Sequence, residues 1–155
     1  GAIGRILKQS LRGGLKLPVA AEALLFAADR AQHVAEVVEP ALRAGKVVIA
    51  ERYIASSLAY QWARGLPLEW IKSINKTAPK PDLTVVIDVP PEVALSRMRR
   101  SRKLDRFEAD LNLQRRVRKN YLALVKQMGL KVVNGARGVD EVQADIRKHV
   151  SKILD

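Results

Sequence analysis

The sequence contains no cysteine. Disulfide scaffolds, thiolate metal sites, redox motifs and cysteine nucleophiles are therefore excluded. Histidine is nearly as scarce: His33 and His149 are the only two, and they lie too far apart in sequence to suggest a local metal site. Aromatic residues make up 5% of the chain, and with 9 Gly and 7 Pro there is no collagenous or low-complexity tract. No unbroken apolar stretch approaches the ~18 residues that a membrane span requires. A basic-then-apolar leader with a small-residue cleavage site is also missing, so the expected compartment is the cytoplasm.

What is present is an ordinary globular composition, 48% hydrophobic and 28% charged over 155 residues. That length supports one sizeable core, so a single domain spanning residues 1–155 is expected. The charge is lopsided, because 28 Lys and Arg against 16 Asp and Glu leave a net +12. Such an excess points to anionic partners, whether nucleotides, phosphates or nucleic acid, without choosing among them. Its distribution says more: residues 97–119 hold ten basic and three acidic side chains, a net of +7.

Apolar residues at Ile3, Ile6, Leu7 and Leu11, followed by Gly13-Gly14, read as a short amphipathic helix with a glycine stop. The alanine-rich run from Pro18 to Ala44 has helical period and ends at Gly45, where a left-handed residue is favoured, with Pro40 expected to kink or join two helices. Val47 to Ala50 and Leu83 to Val89 read as strands without clean alternation, and Leu130, Val132 and Val133 suggest a third. Continuous apolar runs of this kind fit strands buried on both faces of a parallel sheet. Helical patterns cover Ala55 to Ala63, Pro67 to Asn75, Pro91 to Arg102 and Leu111 to Met128. A last helix carries Val142, Ile146, Val150 and Ile153. The alternation predicts an α/β fold with right-handed crossovers.

In open parallel sheets ligands bind beyond the C-terminal ends of the strands. Glu51 and Arg52 follow the first expected strand directly, and Asp88 closes the second. Arg52 there can grip a phosphate through parallel hydrogen bonds, and Glu51 can hold magnesium or position a phosphoryl acceptor. Taken alone, the pair reads equally well as a structural ion pair at a strand end.

Four ordered blocks add to this reading. Glu51-Arg52-Tyr53-Ile54-Ala55-Ser56-Ser57-Leu58-Ala59-Tyr60-Gln61 resembles the signature of the thymidylate kinase family. Leu25-Phe26-Ala27-Ala28-Asp29-Arg30 is similar to that family's helix segment with Phe and Arg four residues apart. Pro81-Asp82-Leu83-Thr84, continuing to Val89 and the helix from Pro91, resembles its Pro-Asp-Leu-Thr strand and following helix. Leu104-Asp105-Arg106-Phe107-Glu108 looks like the end of its lid. The resemblance covers the chain from about Gly1 to the C-terminus.

The resemblance implies a three-layer P-loop NTPase-like fold, a parallel sheet flanked by helices, here without the family's first two strands. It also implies transfer of the γ-phosphoryl of ATP to dTMP, with Mg2+, giving dTDP and ADP. Phe26 would stack on thymine and Arg30 would donate to its O4, as two side chains at i and i+4 on one helix face can. Arg52 would hold the acceptor phosphate, Ser57 and Gln61 would contact base or sugar, and Tyr121 would join the nucleoside pocket. Glu51 would organise the acceptor or the metal, although the family usually has the shorter Asp there. The basic segment at residues 97–110, with Arg97, Arg99, Arg102 and Arg106, would close as a lid over the transferring phosphoryl. Ala136 and Arg137, in the turn after the third strand, would cradle adenine; an ordinary strand-to-helix turn explains that segment as well. A homodimer with no specific nucleic-acid partner is implied.

One departure is large: the chain has no G-x-x-x-x-G-K-[ST], the loop whose amides and Lys hold the donor phosphates. Gly1 aligns just after the block that carries it in the family. A fragment of a longer product, a piece supplied from elsewhere, and a rearranged fold all remain open, with the intact condition of the other motifs favouring the first. The alternatives in function are a kinase for another nucleoside monophosphate and a non-catalytic nucleotide-binding module. A nucleic-acid-binding protein rests on the charge alone and predicts steeply salt-dependent binding.

Overall fold

A computed structural model describes residues 1–99, 104–105 and 107–154. Eight α-helices and two strands are found among them, gathered into two compact units, Gly1–Pro79 and Lys80–Asp155.

The first unit is helical. Helix α1 (Ala2–Leu11) packs on α2 (Val19–His33), and α4 (Ile54–Ala63) and α5 (Leu68–Ile74) also pack on α2. Leu7, Ala23, Leu58, Ala59 and Ile71 are buried and form the apolar interior. Between α2 and α3 (Glu39–Arg43) the chain forms a π-helical turn at Val34–Val38. Pro40 explains it. A proline has no N–H to give the Glu36 carbonyl, so the helix widens instead of breaking, and the Glu39 amide reaches back five residues to the Val34 carbonyl. The expected kink is thus absorbed as one wide turn. Helix α3 ends as its sequence foretells: Gly45 has φ +71°, and the Lys46 amide closes on the Ala41 carbonyl at 3.0 Å.

The strand expected at Val47 to Ala50 is not formed. A strand needs a partner for its ladder, and among the described residues none pairs with this segment. Val47 is 65% and Ile49 93% exposed, while Val48 packs against the buried cluster of Val34, Val38 and Ala78. Apolar β-branched residues make a strand available; pairing makes it a strand.

The second unit contains the sheet. Strand β1 (Val85–Asp88) pairs in parallel with β2 (Lys131–Asn134), Val86 opposite Val132 and Asp88 opposite Asn134. Helices α6 (Pro91–Arg99) and α7 (Leu111–Met128) lie in the crossover, as a parallel pair requires, and α8 (Val139–Leu154) follows β2. Asp110 caps α7 by accepting the Leu113 amide at 2.9 Å. Leu113, Val117 and Leu124 supply that helix's buried stripe. The strands are not buried on both faces, contrary to their continuous apolar sequence. Val86 and Val133 are covered, whereas Ile87 and Val132 are 50% and 41% exposed. The layered parallel architecture is therefore present here as a two-stranded sheet with helices.

Gly135 joins β2 to its loop, and only glycine fits there. A Cβ at this position would lie 2.4 Å from Ile87 Cγ2 and 2.5 Å from Val89 Cγ2. The loop consequently seats directly on the end of β1, with the Gly135 amide donating to the Asp88 carbonyl at 2.8 Å.

Candidate nucleotide site

In the first unit α2 carries Phe26 and Arg30 one turn apart, hence on one face, and both are half-buried. The Arg30 guanidinium is held on two sides. Its Nη2 donates to Ser57 Oγ at 2.7 Å and to the Tyr53 carbonyl at 3.4 Å, and its Nη1 donates to Asn75 Oδ1. The guanidinium also lies 5.4 Å from the centre of the Tyr53 ring. Burial pulls the Arg30 pKa down, against the charges of Tyr53 and Asp29, and burial raises that of Tyr53. Arginine stays protonated regardless.

Ser57 lies on α4, and Gln61 follows one turn later on the same face. Gln61 is 3% exposed and its Oε1 has no hydrogen-bond partner among the described residues; the Tyr53 hydroxyl is buried and without one among them as well. A buried acceptor left unpaired costs about 1–3 kcal/mol. Such an atom marks a place that a donor on a ligand can fill.

Arg52 stands just before α4 with φ +62°, the sole non-glycine residue of positive φ among the described residues. That conformation costs about 1 kcal/mol for a residue with a Cβ and is found most often where function demands it. The exposed side chain is steered by two contacts: its Nε donates to Ser56 Oγ at 3.1 Å, and its guanidinium lies 4.7 Å from the Tyr60 ring centre. Its two Nη groups have no partner among the described residues. Glu51 beside it is exposed and likewise unpaired. No group of three His, Asp or Glu that could hold a metal is found among the described residues. Magnesium that accompanies a nucleotide is held by one or two carboxylates together with the phosphates, so Glu51 is the described residue that would hold it.

These elements are locked from behind. Glu22 of α2 is fully buried, accepts from Ser10 Oγ of α1 at 3.0 Å, and pairs with Arg64 at the end of α4 at 2.5 Å. The helix bearing Arg30 and the helix bearing Ser57 are tied through this one carboxylate.

In the second unit Asp88 at the end of β1 receives two parallel bonds from Arg118 of α7, at 2.7 and 2.8 Å. Those hydrogen bonds hold the Asp88 carboxyl below its ordinary pKa, more strongly than partial burial raises it. The pair stabilises the fold fully above about pH 4 and is lost as pH falls through the depressed value. Thermal melting of the wild type and of Asp88→Asn should therefore differ most at neutral pH and converge as the pH approaches 2.

Arg97 is committed elsewhere than a lid. Its Nη1 donates to the Gly135 carbonyl at 2.7 Å and its Nη2 to the Ala136 carbonyl at 3.0 Å, which pins the loop after β2. Asn134 Oδ1 accepts the Ala136 amide at 2.9 Å, and Arg137 is paired with Asp145. Arg97, Ala136 and Arg137 are thus brought together. Arg99 is exposed with no partner among the described residues, and Tyr121 is half-buried on α7. Arg102 and Arg106 lie outside the described residues, as do Arg100 and Lys103. In the expected lid end, Asp105 Oδ1 accepts the amides of Phe107 and Glu108 at 2.8 Å, and Glu108 accepts the Asp105 amide at 2.9 Å. This reciprocal pairing is that of a capping box.

Asn75, Glu22, Arg64 and the Asp88–Arg118 pairing are not singled out by the sequence motifs. Asp88 has a signal in its strand-end position; the others have none.

The profile of the thymidylate kinase family matches residues 1–146 of this chain. A probable thymidylate kinase of Pyrococcus abyssi is 49% identical over 142 residues, covering 91% of this chain and 69% of that protein. A probable thymidylate kinase of Pyrobaculum aerophilum is 43% identical over 155 residues, covering 99% and 80%. The thymidylate kinase of Symbiobacterium thermophilum is 44% identical over 159 aligned positions, covering 98% and 73%.

Proposed function

Because this chain belongs to the thymidylate kinase family, we propose that it binds dTMP in its first unit and presents the 5′-phosphate for phosphorylation by ATP, giving dTDP and ADP. The observation that carries the proposal is the pairing of an anchored donor with an orphaned acceptor. Arg30 offers N–H groups in a fixed direction, and Gln61 Oε1 is buried without a partner. The edge of thymine carries an O4 acceptor and an N3–H donor, the complement of that pair. Cytosine carries the reverse, an N4 donor beside an N3 acceptor, and would leave both groups unpaired. Phe26 supplies the ring for stacking, and Ser57 holds Arg30 in place.

Arg52 takes the acceptor phosphate. Its Nη groups, without a partner among the described residues, form the fork that suits a phosphate, and it stands just before the N-terminus of α4, the end of a helix that favours an anion. Glu51 adjoins it as an acceptor-organising carboxylate. In the second unit Arg97 serves the Gly135–Arg137 loop proposed for adenine, and Arg99 is exposed. When bound, ATP with magnesium supplies the phosphoryl group. Phe26, Arg30, Arg52, Ser57 and Gln61 act on the acceptor, by orienting it and matching its charge. Two copies pairing through the alanine-rich helix is supported by the half-exposed Leu24, Val37 and Leu42 on that segment. No helix among the described residues is long and apolar enough to cross a membrane.

Calorimetric titration with dTMP, dCMP and AMP tests the reading. Selective uptake of dTMP is expected; a folded chain that binds none of them, or all alike, would contradict it.

A further inference from the structure

We infer that Asn75 is a positioning residue that aims Arg30 and so sets the choice of base; the inference rests on the base-binding role proposed for Arg30. Asn75 is 4% exposed and closes the C-terminal end of α5. Its Nδ2 donates to the Ile71 carbonyl, one turn back, at 2.8 Å. That bond fixes the polarity of the amide. With the NH2 group spent inside the last turn of α5, Oδ1 faces across to α2 and accepts from Arg30 Nη1. The opposite orientation would set donors against the guanidinium and a carbonyl against the Ile71 carbonyl.

A guanidinium held at one nitrogen still swings about its long side chain. Held at both Nη groups it cannot, and here Asn75 holds Nη1 while Ser57 and the Tyr53 carbonyl hold Nη2. Three of five N–H groups are used, and those left are Nε–H and one on Nη1. Their direction is set by the two anchors before any ligand arrives, so the ordering cost of a flexible arginine is already met. The amide also orients Arg30 without neutralising it, which a carboxylate would not do. The sequence singles out Ser57 as a base or sugar contact, and its hold on Arg30 is seen only in the structure. Asn75 is 45 positions from Arg30 and completes the clamp from a different helix.

The test has one arm without nucleotide and one with. Modification of Arg30 by phenylglyoxal, followed by peptide mass spectrometry with exposed Arg43 as the internal reference, reads the clamp directly. Asn75→Ala should raise the Arg30 rate several-fold and leave Arg43 unchanged; an unchanged Arg30 rate overturns the inference. Asn75→Asp keeps an Oδ1 acceptor for Arg30 while giving up the Nδ2 bond to Ile71, and should keep Arg30 protected; circular dichroism of both variants separates a loosened clamp from an unfolded chain.

In the second arm, dTMP and dCMP are titrated into the wild type, Asn75→Ala, Arg30→Ala and the double variant. Asn75→Ala should lower the dTMP-to-dCMP preference about tenfold, and it should add little once Arg30 is gone. Equal losses for both nucleotides, or full additivity with Arg30→Ala, would reduce Asn75 to a structural cap and overturn the inference. A wild type without preference for dTMP defeats the base-site reading instead, and the modification rates then judge the clamp on their own.

Discussion

Arg52→Ala is expected to weaken dTMP binding by about two orders of magnitude, because two charge-assisted hydrogen bonds to a phosphate disappear together. The side chain is exposed and, among the described residues, is supported by Ser56 Oγ and the Tyr60 ring, so its loss removes no core packing. The unfolding midpoint should stay near that of the wild type. Alanine keeps the left-handed backbone at φ +62° and with it the conformational cost. Arg52→Gly releases that cost and should melt above Arg52→Ala while binding no better. Calorimetry and thermal melting on the three proteins separate the two contributions. Binding by Arg52→Ala at wild-type affinity would remove Arg52 from the phosphate site.

A second large effect is expected on stability. Glu22→Ala should lower the unfolding free energy by about 3–5 kcal/mol, because Arg64, 14% exposed, would keep its charge with its buried carboxylate gone. Ser10, fully buried, would lose its acceptor in the same step. The pair as a whole is a different matter from either member. Replacing both residues, Glu22→Leu with Arg64→Met, should recover most of the loss, since no charge is then stranded. Urea unfolding followed by circular dichroism checks both. Because Glu22 joins the helix of Arg30 to that of Ser57, the single variant should also lose dTMP selectivity, and a single variant as stable as the wild type would show that the ion pair is not what holds these helices.

Much of the secondary structure was legible from local signals. Gly45 stops a helix because a left-handed residue without Cβ closes it, and the helix over Leu111 to Met128 is written in its apolar periodicity. Local signals failed where a partner decides the outcome. Val47 to Ala50 has the composition of a strand, yet backbone groups form a ladder only against another strand, and none is paired with them among the described residues. The apolar runs at β1 and β2 suggested burial on both faces, yet Ile87 and Val132 stand half-exposed. Hydrophobicity states what a residue can bury and leaves open what will cover it.

The same division runs through the candidate site. The sequence by itself carried the ordered motifs that resemble the family, and it placed Phe26 and Arg30 on one helix face and set the Arg52, Ser57 and Gln61 spacing, because placement and spacing depend on residue type and helical period. Tertiary structure alone decided that Arg30 is clamped between Ser57 and Asn75, that Gln61 Oε1 is left without a partner, and that Arg97 grips the loop at Gly135. Glu22 with Arg64 belongs to this second group. The reason is distance along the chain: hydrogen bonds and ion pairs act over a few ångströms, and residues 27 to 45 positions apart come within that range only when the helices carrying them have packed.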